Sequence, residues 1–89
     1  MSEAREVVEF LARALVDVPD EVRVTEADQH GTAVIELFVA PDDLGRVIGR
    51  QGRTAAALRT LAAAAGERRG LKVMLEIREP GRQGPPRDR

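Results

Sequence analysis

The sequence predicts an α+β domain whose elements follow in the order helix, strand, strand, helix, helix, strand. Apolar residues recur at helical spacing near the N-terminus, two later segments alternate as strands do, and two helical segments meet at glycines three residues apart. The 89 residues are enough for one domain with a small core. An apolar fraction of 43% and a charged fraction of 33% are typical of a globular chain rather than a disordered one.

The first helix is expected to begin at Ser2, whose side chain can cap it, and to end at Val18, because Pro19 forces the preceding residue out of the helical region. One apolar stripe marks its buried face: Ala4, Val7, Val8, Leu11, Ala12 and Leu15. A short strand is predicted over residues 21–26, with Val22 and Val24 on one face. A turn over residues 28–31 follows, and it contains His30.

The second strand, residues 32–40, carries apolar residues on both faces and is therefore expected at the centre of the sheet. Pro41 is expected to begin the second helix, which ends at Gly49. Asp42 and Asp43 lie in the first turn of this helix, where the helix dipole favours negative charge. Their position is explained by helix capping.

The third helix is predicted over residues 53–65, and the helical spacing places one set of residues on its buried face: Thr54, Ala55, Leu58, Leu61, Ala62 and Ala65. A basic connector over residues 66–70 precedes the last strand, residues 71–78, in which Leu71, Val73, Leu75 and Ile77 point inward. Residues 1–78 are thus one domain. Residues 79–89 are rich in proline, glycine and charge without periodicity, and a disordered tail is expected there.

The connections predict the topology of the sheet. The short turn makes the first two strands antiparallel, and the helical crossover places the third strand parallel to the second with right-handed connectivity. The prediction is a three-stranded mixed sheet covered on one face by three helices.

The Gly49 corner is the best candidate for a functional site. Glycine at both ends of the step from Gly49 to Gly52 permits a sharp turn and leaves the backbone amides uncovered at the start of a helix, an arrangement that suits a phosphate. Four arginines surround it: Arg46, Arg50, Arg53 and Arg59. A nucleotide phosphate loop would need Gly at position 47 and Lys at position 53, so it is excluded. An ordinary helix cap and turn remains the alternative.

Charge is distributed unevenly along the chain. Up to Asp43 there are eleven acidic residues against three arginines, a net of −8, whereas from Leu44 onward eleven basic residues face four acidic ones, a net of +7. Such asymmetry can build a basic face for a polyanion on a protein whose net charge is −1. The alternative is that the two halves interleave in space and their charges cancel.

The segment Val47-Ile48-Gly49-Arg50-Gln51-Gly52 resembles the V-I-G-x-x-G signature of KH domains, whose G-x-x-G loop clamps four nucleotides of backbone. The longer segment 40–54 is similar to the bacterial small single-KH proteins of the KhpA type, and the resemblance covers residues 21–77. It implies the prokaryotic, type II KH arrangement, α-β-β-α-α-β. Ala55 departs from the general pattern, because many KH domains have Ile or Leu there, so no base preference can be carried over.

The resemblance also implies a function, an RNA chaperone or post-transcriptional regulator that clamps the backbone of single-stranded RNA. Arg50 and Gln51 would reach sugar–phosphate oxygens. The residues expected at the RNA are Arg46, Val47, Ile48, Gly49, Arg50, Gln51, Gly52 and Arg53. Apolar residues would shape the groove beneath the bases, or serve the core alone: Leu37, Leu44, Val47 and Ile48.

The competing interpretation is a dimerisation or protein-docking module with little RNA affinity. The resemblance implies a homodimer and a larger, multidomain KhpB-type partner, with links to cell elongation and division. Small uncharged residues on the third helix, opposite its predicted buried face, are the expected dimer interface: Ala56, Thr60, Ala63 and Ala64. Alanine could instead serve only helix propensity. The intact loop glycines and Arg50 favour RNA binding.

Catalysis is not expected. The chain has no cysteine, which excludes thiol chemistry, and His30 is expected to be a solvated turn residue. No metal site or cofactor is predicted. The acidic N-terminus lacks an apolar signal core and no apolar run approaches membrane-spanning length, so a cytoplasmic protein without membrane contact is expected.

Overall fold

The computed structural model describes residues 2–79 and contains the predicted elements in the predicted order, so the α+β class is confirmed. The elements are α1 (Glu3–Leu15), β1 (Arg23–Gln29), β2 (Thr32–Phe38), α2 (Leu44–Ile48), α3 (Arg53–Glu67) and β3 (Lys72–Arg78). Short 3₁₀ turns occupy Pro19–Glu21, Pro41–Asp43 and Arg50–Gly52. The tail predicted from residue 79 onward lies, apart from Glu79, outside the described residues.

The sheet has the predicted topology. Its order is β1-β2-β3, with β1 antiparallel and β3 parallel to the central β2; Ile35 pairs with Glu26 on one side and with Leu75 on the other. β1 continues to Gln29, three residues beyond the predicted end, because His30 and Gly31 alone make the turn with φ values of 54° and 87°. Positive φ at both positions is the hairpin geometry that matches the twist of the strands. His30 is exposed, as predicted.

The core lies between the helices and one face of the sheet. Val8 of α1, Ile35 and Leu37 of β2, and Val47 of α2 are each fully buried. From α3 the core receives Ala55, Leu58, Ala62 and Ala65. The prediction that Leu61 belongs to this face is wrong, since its side chain is 48% exposed. Leu61 is adjacent in sequence to Ala62, about 100° away around the helix, and therefore projects beyond the edge of the packed stripe.

The ends of two helices differ from the prediction for tertiary reasons. α1 ends at Leu15 rather than Val18, because the backbone N–H groups of Asp17 and Val18 donate to the side chain of Asp43, 3.1 Å away in each case, instead of continuing the helix. α3 continues to Glu67, past Gly66, which is buried against Val73 of β3.

Among residues 2–79, none of the helices combines the length and the apolar character needed to cross a bilayer.

The helix predicted from Pro41 is divided. Residues 41–43 form a 3₁₀ turn and α2 begins only at Leu44. The expectation that Asp43 caps the helix is wrong: its side chain makes no cap hydrogen bond, is 2% exposed, and instead holds the connector that follows α1. Asp42 remains exposed in the turn.

Candidate nucleic-acid interface

The predicted glycine corner is a tight turn between α2 and α3. Gly49 adopts φ 78° and ψ 169°, a conformation that is essentially restricted to glycine. Gly52 is left-handed, with φ 73° and ψ 13°, and its N–H donates to the Gly49 carbonyl oxygen at 3.0 Å. Gly49 is therefore required by the backbone, whereas at position 52 the backbone favours glycine.

The two glycines face different surroundings. A Cβ at Gly49 would lie 2.6 Å from Thr54 Cβ and 2.9 Å from Thr54 N, whereas a Cβ at Gly52 would meet no atom within 4 Å. Gly49 is thus packed against the first turn of α3. Gly52 instead leaves open space beside the backbone, and no side chain caps the N-terminus of α3 at this position.

The tip of the loop consists of Arg50 and Gln51, and both are exposed. Gln51 adopts φ 56° and ψ 25°, a left-handed conformation that is uncommon for a residue other than glycine. Its side-chain oxygen accepts a hydrogen bond from Arg53 Nη2 at 2.8 Å. This bond holds the Arg53 guanidinium over the loop.

Many of the basic residues in the second half of the chain are paired with acidic residues of the first half. Arg46 contacts Asp17 and Asp43, Arg68 and Arg69 contact Glu3, and Arg78 contacts Glu36, all within 4.0 Å. For these residues the charges interleave in space. The charge asymmetry of the sequence therefore does not by itself create a broad basic face.

The arginines around the loop form two groups. In the described part of the chain, Arg50 and Arg53 have no carboxylate oxygen within 4.0 Å, while Arg59 donates from Nε to the Leu75 carbonyl oxygen at 3.3 Å. Arg46 is paired with Asp17 and Asp43. Arg59 also has no carboxylate partner there, because the carbonyl oxygen that it contacts is neutral, so unbalanced positive charge is carried by Arg50, Arg53 and Arg59. Arg50 and Arg53 are the two that lie beside the glycines in the chain.

The predicted apolar groove residues are divided between core and surface. Val47 and Leu37 are fully buried and serve the core, so they support the loop from beneath, whereas Leu44 and Ile48 are partly exposed. A shallow cleft of about 270 Å³ beside Leu44 is completed by Ile77, Arg78 and Glu79. Sequence reasoning assigned Ile77 only to the core, because alternation within β3 does not show that the end of the strand lies beside α2.

Asp43 is the residue whose role the sequence did not reveal. Its buried carboxylate accepts the N–H groups of Asp17 and Val18 and lies 3.5 Å from Arg46 Nε. It therefore fixes the connector after α1 against α2, the helix that leads into the loop. An aspartate just before a helix is usually interpreted as a cap. Asp17 and Asp43 are separated by 26 positions in the sequence, so no local pattern shows that they are in contact.

On the far side of α3 from its core-facing stripe, the small residues are exposed: Ala56, Ala57, Thr60, Ala63 and Ala64. Leu61 adds a large apolar side chain to the exposed surface of the same helix.

Residues 2–79 contain no cluster of three or more His, Cys, Asp or Glu side chains placed to hold a metal ion.

Comparison with known proteins identifies the family. Residues 5–77 match the model of the KhpA/KhpB KH domain. The chain is 53% identical over 79 residues to a protein of Aquifex aeolicus named RNA-binding protein KhpA, covering 89% of this chain and all of that one. It is 54% identical over 71 residues to the protein of the same name from Halalkalibacterium halodurans, covering 80% and 93% of the two chains.

Solved structures show the same fold. Part of Era, in a crystal structure with MgGDPNP and nucleotides 1506–1542 of 16S ribosomal RNA, matches 85% of this chain with a TM-score of 0.60 and 25% identity. Era of Aquifex aeolicus bound to GDP and aluminium fluoride matches the same share with a TM-score of 0.58 and 24% identity. The chain spans 29% of each Era chain. The family match, the close relatives and the glycine corner together place this chain in the KhpA/KhpB family of KH domains.

Proposed function

We propose that this protein binds single-stranded RNA and clamps the sugar–phosphate backbone with the loop Gly49-Arg50-Gln51-Gly52. The observation that carries the proposal is the combination of backbone and charge at this loop. Gly52 leaves the backbone uncovered, and Arg50 and Arg53 have no carboxylate partner in the described part of the chain. Relatives named RNA-binding protein KhpA support the same ligand.

The physical basis is electrostatic and sequence-tolerant. A phosphate at Gly52 would meet the positive end of the α3 dipole and the guanidinium groups of Arg50 and Arg53. Ile48 and Leu44, which are partly exposed, would support the bases beside this path. Phe10 and Phe38 are the only aromatic residues of the chain, so base stacking on an aromatic platform contributes little, and backbone contacts dominate.

NMR titration of the ¹⁵N-labelled protein with a short single-stranded RNA tests this proposal. The amide signals of Gly49, Gly52 and Thr54 should shift in proportion to bound RNA, while that of Gly31, at the hairpin turn, should not. Shifts confined to the hairpin, or no shift at millimolar RNA, would rule out the loop as the binding site.

We also propose that two copies associate through the exposed face of α3 formed by Ala56, Thr60, Ala63 and Ala64. Small side chains allow two helix backbones to approach closely, and the exposed Leu61 supplies apolar area on the same helix. A twofold dimer would carry two loops on one particle, so a longer RNA could gain avidity. A multidomain KhpB-type protein is the second proposed partner, in a role connected with cell elongation and division.

The alternative function is a docking module with little RNA affinity. The exposed face of α3 favours it as strongly as it favours the homodimer, because either partner could cover the same small residues. The two functions differ at the loop: a docking module has no use for Arg50 at the tip. Titration with RNA therefore separates them.

A further inference from the structure

Arg46 differs from the other arginines near the loop because its charge is already matched within the protein. Its Nη2 donates to Asp17 Oδ2 at 2.9 Å, and its Nε lies 3.5 Å from Asp43 Oδ1. Arg50 and Arg53 have no such carboxylate in residues 2–79. An RNA phosphate would have to displace a carboxylate to contact Arg46, whereas it could contact Arg50 or Arg53 without displacing one.

Arg46 is close enough to the loop for this exchange to matter. It precedes Gly49 by three residues, which places its Cα about 4.5 Å from that of the glycine along the helix axis. The preceding residue, Gly45, accepts the Gly49 N–H at 2.8 Å, so this part of α2 is bonded directly to the corner. The Arg46 side chain is 53% exposed, and an anion approaching from solvent can reach its guanidinium.

The position of Asp17 beside Arg46 is built into the fold. The Asp17 N–H donates to the buried Asp43 carboxylate at 3.1 Å, and the Val18 N–H donates to its other oxygen at the same distance. These bonds fix the connector that follows α1 against α2. The Asp17 side chain itself is 68% exposed, and an ion pair so exposed is weak enough for a phosphate to replace it.

We propose that Asp17 is an internal competitor of the RNA phosphate for Arg46, and therefore a positioning residue that tunes RNA affinity. This inference rests on the proposed function. A carboxylate and a phosphate diester present similar pairs of oxygen acceptors to a guanidinium, so one can take the place of the other. RNA binding then breaks the Asp17–Arg46 pair. The free energy gained when Arg46 contacts the phosphate is therefore reduced by the free energy lost with that pair.

The test compares Asp17→Ala with Asp20→Ala. Asp20 is an exposed acid three residues further along, it has no ion-pair partner within 4.0 Å among the described residues, and its replacement changes the net charge equally. Both variants are titrated with a short fluorescein-labelled single-stranded RNA over a series of salt concentrations. Thermal melting verifies that each variant is folded at the temperature of the titration.

Asp17→Ala should tighten binding about threefold to fivefold, the size expected for the loss of an exposed ion pair. The slope of log K against log salt should become steeper, by at most about 0.7, because in the wild type the phosphate that contacts Arg46 leaves the Asp17 carboxylate unpaired, and in the variant no such carboxylate remains. Asp20→Ala should change the affinity by less than about 1.5-fold and leave the slope unchanged, since among the described residues Asp20 pairs with no arginine that a phosphate could take over. The steeper slope is an effect that a merely structural role of Asp17 would not produce.

The Arg46→Gln background isolates the pair. In that background Asp17→Ala should no longer tighten RNA binding, since Asp17 has lost the arginine with which it pairs. A gain that persists in that background, or Asp17→Ala and Asp20→Ala variants that behave alike, would overturn the inference while leaving RNA binding intact. A wild-type protein that binds no RNA would overturn the proposed function itself, and this inference with it.

Discussion

Gly49 and Thr54 are packed so closely that the corner between α2 and α3 has no room for a side chain at position 49. A Cβ there would lie 2.6 Å from Thr54 Cβ and 2.9 Å from the Thr54 backbone nitrogen, and closer still to Thr54 Oγ1. The backbone atom cannot move without displacing the start of α3. Glycine is therefore needed at position 49 for two reasons, the close approach of Thr54 and the backbone dihedral angles of this residue.

Gly49→Ala should destabilise the domain by about 2 to 4 kcal/mol, because the clash with Thr54 adds to the strain of the backbone conformation. Gly52→Ala is the matched control. Gly52 also has positive φ, 73°, but open space around its Cβ position, so its replacement should cost only about 1 to 2 kcal/mol. Urea denaturation of both variants measures the difference. Equal losses would show that the contact with Thr54 contributes nothing beyond the dihedral angles.

Asp43→Ala should cost about 2 to 4 kcal/mol, since it leaves the N–H groups of Asp17 and Val18 without their buried acceptor and removes a partner of Arg46. Asp42→Ala provides the comparison, because Asp42 is exposed and its loss should change the free energy of unfolding by no more than about 0.5 kcal/mol. Chemical denaturation at neutral pH measures both. If the two variants lose stability equally, Asp43 is only a residue of the helix start.

Thr60→Arg should convert a dimer into a folded monomer, because a long charged side chain cannot be accommodated between two closely packed helices. Ala64→Glu should act in the same way. Thr25→Arg places the same substitution at an exposed position of β1 and should leave the association unchanged. Sedimentation equilibrium measures the mass of each. A wild-type protein that stays monomeric at high concentration would contradict the proposed interface.

Local sequence patterns were sufficient for the order of elements and for the corner. Alternation identified β2 and β3, and two-sided apolarity correctly placed β2 between the other strands. Glycine at positions 49 and 52 indicates a sharp turn, because glycine adopts the positive φ angles of such a turn without steric cost. In each case the relevant interaction lies within a few residues of chain.

What could not be predicted depends on contacts between distant segments. Asp43 looks like a helix cap until the connector after α1 is seen to lie against it. Helical periodicity does not show that Leu61 lies outside the buried face of α3. The edge of a buried face depends on how far the neighbouring elements cover it. The pairing of Arg46 with Asp17, 29 residues away, likewise leaves no periodic trace in the sequence.

If the loop tip clamps RNA, the double variant Arg50→Asp and Gln51→Asp should lose affinity for single-stranded RNA, and fluorescence titration measures that loss. Both side chains are exposed, so stability should change by no more than about 0.5 kcal/mol per site. The two new carboxylates would repel the phosphates and weaken binding by at least about 30-fold. Arg23→Asp with Gln29→Asp, at exposed positions of β1, makes the same change of charge elsewhere and should retain most of the affinity. An unchanged affinity of the loop variant, or an equal loss of affinity in the loop variant and the β1 variant, would contradict RNA clamping by the loop tip.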